Sequence, residues 1–412
     1  MANDINNIKD NAGVIAKMTA QLLADEMHFC KSIDKAPESD YQGKNGYNAG
    51  DTIYISKPAR FIPQNTFDIS SSTQDIVEES SALTLDTIST VGVELDSQEL
   101  AHDINIGSIM ERVMKPAASA IAQDVETQFI AKATDGVYNS VGTAGSETFD
   151  VATILDARAR LNQNLCPKDN NRTLLLDSAA SAGAVADRKG LFQSSSEIDK
   201  QYRDGLMGRA DGFNWVESEL LNLHTNGNDV TGVAVDDASV TEGASTLHVD
   251  GLTANTGTVK KGQVFTVAGV NAVHPITKTD LGYLQQFVIT ADGTADANGD
   301  VTASISPSLY AGSNGLQNIS ALPADDAALV FVGTADLAAS QSLAFHKSAF
   351  RMVSAPLVMP VNAEFAAQET VDGITVAIIR DFDVNKRRMV TRIDFLGGLS
   401  LVRPEWSCRI TA

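Results

Sequence analysis

Cysteine is scarce in this chain. There are three in 412 residues, Cys30, Cys166 and Cys408, and none belongs to a C-x-x-C pair. That usage excludes a disulfide framework and a thiolate zinc site, and fits three unpaired thiols in a reducing compartment. The six histidines are scattered, with no pair spaced to hold a metal from one helix face. The sequence contains no G-x-x-x-x-G-K-[ST], G-x-G-x-x-G, G-x-S-x-G or H-E-x-x-H, so phosphate-loop, dinucleotide, hydrolase-elbow and zincin chemistry leave no signature. No run reaches the roughly 18 apolar residues a membrane helix needs. The N-terminus lacks the basic start, apolar run and small-residue cleavage site of a secretory signal. Without one, the acceptor patterns at Asn171-Arg172-Thr173 and Asn318-Ile319-Ser320 read as chance matches.

Positive charge is the second shortage. Lys and Arg number 31 against 52 Asp and Glu, a formal net charge of −21. Such a surface does not coat nucleic acid passively, although it can enclose DNA without gripping it. The deficit is sharpest in mid-chain. No arginine lies between Arg209 and Arg351, and residues 228–334 hold three lysines against eleven carboxylates. Apolar residues, in contrast, make up an ordinary 43%, enough for a globular protein with two or three domains or one elaborated fold.

Apolar positions three or four apart (Ile5, Ile8, Ala12, Ile15, Met18, Leu22, Leu23, Met27) predict an N-terminal helix over 3–30. It is either an arm reaching another subunit or a helix on its own core. A turn-rich stretch (36–50) leads to the strand GDTIYISKPARF (50–61), stopped by Pro58. After a polar excursion to about 81, the odd positions from Leu83 to Leu95 predict one long returning strand. An extended hairpin of this kind cannot bury itself and must lie on a partner or in solvent. Helices are expected at 97–114 and 116–133, the second starting at Pro116, carrying the row Ile121, Val125, Phe129 and ending at Asp135-Gly136. Helices at 150–163 and 178–189 flank a buried strand at 172–177, an α/β arrangement. In 228–334, short Thr/Val-rich strands alternate with Asp250-Gly251, Asp292-Gly293 and Asn298-Gly299 turns. That segment reads as a small β-barrel or sandwich inserted into another domain. Beyond it, 334–354 looks helical and then extended, and 374–404 looks like successive strands.

Few residues suggest chemistry. Asp296-Ala-Asn298-Gly-Asp300 begins like a calcium loop, but the sixth and twelfth positions are Val301 and Pro307, not Gly and Glu. A turn with solvated carboxylates is the better reading. His274, before Pro275, reads as a turn residue. The cluster Lys386, Arg387, Arg388 and Arg392 is either a phosphate contact or, more in keeping with the acidic chain, a solvated hairpin tip or intersubunit ion-pair partner. The carboxylates are too dispersed to nominate an acid/base pair. No cofactor or metal is expected.

The stretch QYRDGLMGRADGFNWVESELLNLHTNG (201–227) resembles a pattern of the coat proteins of short-tailed, scaffold-dependent phages of the Salmonella phage P22 type. Its matching positions are Tyr202, Arg203, Asp204, Gly205, Arg209, Gly212, Phe213, Leu221, Thr225 and Gly227. VKKGQVFTVAGVNAV is similar to a strand pair inside that family's inserted domain, through Lys261, Gly262, Ala268, Gly269 and Val270. GDTIYISKPAR resembles the strand leading into an extension loop, and MVSAPLVMP (352–360) and GLSLVRPEW (398–406), with Arg403 and Pro404, resemble closing strands. The resemblance implies an α+β fold of the Hong Kong 97-like phage capsid type. Its parts would be an N-terminal arm (1–45), an extension loop with flanking strands (46–95), a peripheral domain with a spine helix (96–145 with 385–412), an axial domain (146–227 with 335–384) and an inserted all-β barrel (228–334). The implied function is a major capsid protein that forms hexamers and pentamers of an icosahedral procapsid in the bacterial host cytoplasm. The implied partners are other copies of itself, a scaffolding protein, a portal protein and enclosed double-stranded DNA, with no membrane. Possible intersubunit contacts are Lys57, Arg60, Lys386, Arg387 and Arg388. The family's charged two-fold loop has no equivalent in AVDDASVTEGASTLHVD, which lacks Lys and Arg. Lys57 is the only lysine of the extension loop, so covalent crosslinking of the shell has little support. The rival readings are an encapsulin-like nanocompartment shell and a surface or carbohydrate-binding β-module.

Overall fold

The computed structural model describes residues 8–35, 50–57, 61, 67, 73, 80–96, 115–145, 149–187, 208–237, 239–312, 315–360, 363, 365–384 and 388–411. The chain divides into two compact units. One comprises Met1–Ile55, Ser81–Ile130 and Phe350–Ser400; the other comprises Ser56–Ser80, Ala131–Ala349 and Leu401–Ala412.

The N-terminal stripe folds as α1 (Ile8–Glu26), followed after Met27 by the short α2 (His28–Ser32). Ala16, Thr19, Ala20, Leu23 and Ala24 are buried, whereas Met18, expected among them, is 52% exposed. It lies two residues from both Ala16 and Ala20, which turns it about 200° from each around the helix. Strands β1 (Asp34–Lys35), β2 (Thr52–Ser56), β3 (Ser80–Thr84) and β4 (Thr87–Asp96) follow. The single long strand expected from Leu83 is therefore two strands, with β3 paired to β2 and β4 placed in a different sheet. The alternation runs through the break, since Leu83, Leu85, Thr87 and Ser89 are all buried, and pattern alone does not reveal the change of partner. The helix expected at 97–114 lies outside the described residues.

Helix α3 (Lys115–Gly136) has Pro116 in its first turn, where a missing N–H is tolerated. Its expected row of Ile121, Val125 and Phe129 is fully buried. Next come β5 (Ser140–Gly142), α4 (Val151–Gln163), β6 (Arg172–Leu176) and α5 (Ser178–Asp187). The N-cap of α4 is Asp150, whose Oδ1 accepts the Thr153 N–H at 2.9 Å; Asp177 Oδ1 accepts the Ala180 N–H at 2.6 Å and does the same for α5. Strands β7 (Arg209–Ala210), β8 (Phe213–Glu217) and β9 (Leu223–Thr225) complete this stretch.

The acidic segment is all-β: β10 (Ala234–Val235), β11 (Ala244–Asp250), β12 (Thr258–Val259), β13 (Val264–Val273), β14 (Asp280–Ile289), β15 (Gly293–Thr294), β16 (Val301–Leu309) and β17 (Leu329–Phe331). Six of these form a sheet in the order β10-β11-β16-β14-β13-β17, and β12 pairs with β15. The sheet curls until its outer strands meet. Val235 N–H donates to Ala327 O at 3.0 Å, Asp326 N–H to Val235 O at 2.8 Å, and Leu329 N–H to Val233 O at 2.9 Å. Contacts of this kind bring the outer strands together around a core. Phe265 lies at that core, its ring 5.7 Å from Phe287 and 5.8 Å from Phe331.

β18 (Ala338–His346) then returns beside β9, with Ala338 opposite Thr225. The helical start expected for 334–354 is thus a strand, and only Lys347–Ala349 makes a 3-10 turn. The Ala- and Leu-rich composition favours a helix locally, but Leu343 pairs with Leu175 of β6 and both sides of the strand are covered. Tertiary pairing overrides propensity here. The chain continues through β19 (Phe350–Ser354), β20 (Phe365–Val371), β21 (Ile374–Asp383), β22 (Arg388–Leu401) and β23 (Ser407–Thr411).

In the first unit the sheet runs β1-β19-β22-β21-β20, with β4 also on β22. Helix α1 lies on β20 and β21 of its own chain, and Phe29 meets Phe350 at 5.8 Å. In the second the order is β5-β23-β18-β6-β8-β7, with β9 beside β18. The boundary expected at 384/385 therefore cuts the β21–β22 hairpin, and only β18 of the 335–384 segment joins the sheet of β6. Successive apolar strands look alike whichever sheet they enter.

With its own closed sheet and core, an isolated 228–334 fragment should unfold cooperatively in urea. Phe265→Ala should lower its stability by about 3–5 kcal/mol, and non-cooperative melting of the parent fragment would contradict a self-contained core.

Candidate functional site

The family-like residues do not converge on a cavity; each fixes a turn or a joint. Asp211 and Gly212 both have positive φ, 51° and 86°, and form the two-residue turn between β7 and β8. This is the Asp-Gly hairpin turn whose backbone twist matches the strands. It sets exposed Arg209 on β7 and sends Phe213, fully buried, into the core with Leu174, Leu176 and Ile410. Tyr202, Arg203, Asp204 and Gly205 lie outside the described residues.

Around Lys261-Gly262 the inserted segment meets the end of α3. Lys261 Nζ is 3.3 Å from Asp135 Oδ2, and its backbone N–H donates to Asp292 Oδ1 at 2.7 Å. Gly262 has φ +87°, and a Cβ there would come within 2.8 Å of Asp135 Oδ1 and 2.9 Å of His224. Both backbone angle and space require glycine. Next to it, buried Gln263 accepts the Lys260 N–H with Oε1 at 3.1 Å. Gly269, at φ +81° with open space around it, sits where β13 slips register between Thr266 and Asn271. It is a bulge glycine, flanked by exposed Ala268 and buried Val270.

Near the C-terminus, Arg403 stacks over the Trp406 ring at 4.2 Å, and Pro404 opens the 3-10 turn Pro404–Trp406. Of the possible contact residues, Lys57 is partly buried and Arg388 is held by Glu94 of β4 at 2.8 Å. Both members of that pair are about half exposed, so it contributes no more than about 1 kcal/mol. Arg392 is held by Asp394 at 2.8 Å. Arg60, Lys386 and Arg387 lie outside the described residues. Asp296 Oδ1 accepts the Asn298 and Asp300 N–H groups at 2.7 and 3.1 Å, which holds its carboxyl below the usual range. His274 Nδ1 accepts the Ile276 and Thr277 N–H groups at 3.3 and 3.1 Å. Both are turn residues.

Among the described residues, no group of three His, Cys, Asp or Glu is placed to hold a metal, and no helix is long and apolar enough to cross a membrane. All three thiols are free and buried. Burial pushes Cys166 up to about 11, Cys408 up to about 12 and Cys30 well above its ordinary value, so none is a thiolate nucleophile at neutral pH.

Buried charged groups that escaped the reading of the sequence include Glu126 and Arg409. Glu126, set among polar neighbours by pattern, is 1% exposed and accepts the Phe29 N–H at 2.8 Å, so that α3 holds the start of α2. Its signal was its spacing of four from buried Ala122 and Ile130. Arg409 is fully buried on β23 between Cys408 and Ile410. Only the position of β23 inside a sheet covered on both faces could have shown this.

The family-like residues fix turns and joints, and the comparison with known families identifies the chain. The chain belongs to the family described as P22 coat protein, gene protein 5, which it matches over residues 14–408. It is thereby a tailed-phage major capsid protein, with the Hong Kong 97-like phage capsid fold of that family. No curated protein matches it. Among solved structures it is similar to one from Mycobacterium phage Che8, at 13% identity and TM-score 0.48, covering 93% of this chain and 90% of that one. It is also similar to the virus-like particle from Pyrococcus furiosus, at 7% identity and TM-score 0.40, covering 96% and 98%. Over 24% of its length it is similar to the CUS-3 coat protein I-domain, at 24% identity and TM-score 0.17, covering 93% of that chain.

Burial, the largest influence on Glu126, raises its pKa from 4.5 to about 7. A carboxyl raised in the native state keeps its proton while the unfolded chain loses it, so stability falls as pH rises from 4.5 to 7 and stays low above. The loss is on the order of 3 kcal/mol. Glu126→Gln keeps the acceptor for Phe29 N–H and removes the charge. It should flatten the pH dependence of the urea midpoint over this window and exceed the parent at pH 8; a parent with no such slope would contradict the assignment.

Proposed function

We propose that this chain assembles, with a scaffolding protein, into hexamers and pentamers of an icosahedral procapsid in the host cytoplasm, closed at one vertex by a portal and maturing to enclose double-stranded DNA. Family membership supports the shell, and the observation that carries the contact mode is the extension segment. Phe67 is fully exposed, Phe61 is 57% exposed and Tyr54 is 73% exposed. Large apolar side chains left in water by one chain are suited to burial by a neighbouring copy. Repetition of one modest contact around closed symmetry yields a stable shell from individually weak interfaces.

In this reading residues 1–45 are the arm, 46–95 the extension loop, 96–145 a peripheral part with spine helix α3, and 228–334 the insertion. The axial part is built from 146–227 with β18 and β23. The insertion stabilises the subunit before assembly. The charge of −21, where it faces inward, keeps packaged DNA from adhering.

Electron microscopy of the purified protein, alone and co-expressed with the scaffolding protein of its phage, tests the reading. Closed shells of uniform diameter are expected with the scaffold. Dispersed monomers under all conditions would overturn it. Phe67→Asp should leave the monomer's free energy of unfolding within about 0.5 kcal/mol of the parent, as an exposed site does, and sharply lower the yield of shells.

A further inference from the structure

Arg409 is 2% exposed, yet its Nε and Nη2 have no hydrogen-bond partner among the described residues. The carboxylate that acts on it through space is Asp135, which is itself held by Lys261 at 3.3 Å. Burial lowers the guanidinium to about 10, so it remains a cation at neutral pH. The nearby imidazole, His224, is pushed the other way. Burial first and Arg409 second lower its pKa, and its Nε2 lies 3.0 Å from Lys261 O. A buried cation without an adjacent counter-charge or acceptor is strongly disfavoured unless something neutralises it.

The guanidinium borders a cavity of about 20 Å³, together with Ser140, His224, Asn226, Gly262 and Gln341. That volume admits one small ion or a water or two. Gln341 is 4% exposed, its Oε1 has no partner among the described residues, and its Nε2 makes only a long 3.4 Å bond to Ala339 O. Turning that amide over loses little and presents an NH2 to the cavity. Asn226 is committed elsewhere, donating to Val332 O and Thr334 O at 2.9 and 3.1 Å.

We propose that this cavity binds a single small monovalent anion of the chloride class, held by Arg409 Nε and Nη2 and by the Gln341 amide. Its walls come from the core sheet through β5, β18 and β23, from the flank of the insertion through β9 and Asn226, and from the insertion itself through Gly262. The bound anion ties the root of the insertion to that sheet and makes subunit stability anion-specific. The site does not depend on the shell reading, because it is complete within one chain.

Thermal unfolding of the full-length protein in sodium chloride, sodium bromide and sodium gluconate at matched ionic strength and pH tests it. The midpoint should rise and saturate with either halide but not with gluconate, which is too large to enter, and Arg409→Met should abolish the difference. Diffraction from wild-type crystals grown in bromide supplies a check that needs no variant, through an anomalous peak within hydrogen-bonding distance of Arg409. Indistinguishable chloride and gluconate curves, a halide effect that persists in Arg409→Met, or a site holding only water would each overturn the proposal.

Discussion

Strand β18 hydrogen-bonds to β6 through Leu343 and Leu175, to β23 through Ala344 and Cys408, and at its start to β9 through Ala338 and Thr225. Three strands from distant parts of the chain therefore depend on one strand that is reached only after the insertion has been traversed. Unpaired backbone groups in a buried strand are costly, so the second unit's sheet can be completed only if β9 and β18 end up side by side. A compact body whose two ends emerge together meets that condition, because loop-closure entropy grows only slowly with the length enclosed. The closed sheet of 228–334 is such a body.

The joint between insertion and sheet is built from small, specific fits. Gln286 exchanges two hydrogen bonds with the backbone of Ser140, at 2.9 and 2.8 Å. The Lys261-Gly262 turn sits against Asp135 and His224 with no room for a side chain at Gly262. Arg160 lies over the Tyr283 ring at 4.1 Å. Each contact is modest, and together they give the insertion a fixed seat.

Much of this was legible in the sequence. The row Ile121, Val125, Phe129 marked α3, and the uninterrupted apolar RTLLL marked the buried β6. The lack of arginine and the Asp-Gly and Asn-Gly turns marked the all-β stretch in mid-chain. What was not legible has a common cause. Local pattern reports a residue's neighbours along the chain, whereas β18, the switch of sheets between Leu83 and Thr87, and the hairpin joining β21 to β22 are decided by partners far away. Glu126 was misread because one charged residue interrupts a stripe that pattern treats as apolar, while a backbone N–H from Phe29 accommodates it. Lys261 and Gly262 could be matched to a family from sequence, but the reason for them, a docked turn on Asp135, needed coordinates.

The self-contained core of 228–334 and the exposed Tyr54, Phe61 and Phe67 are the features on which the proposed shell contacts rest. The central claim is that one sheet is completed around β18 while the insertion keeps a core of its own. Native-state hydrogen exchange on the unassembled subunit tests it most directly. The slowest amides should fall in two sets, one in β18, β6 and β23 and one in β13, β14 and β16. Exchange of the insertion strands at loop-like rates, with protection only around β18, would contradict the account.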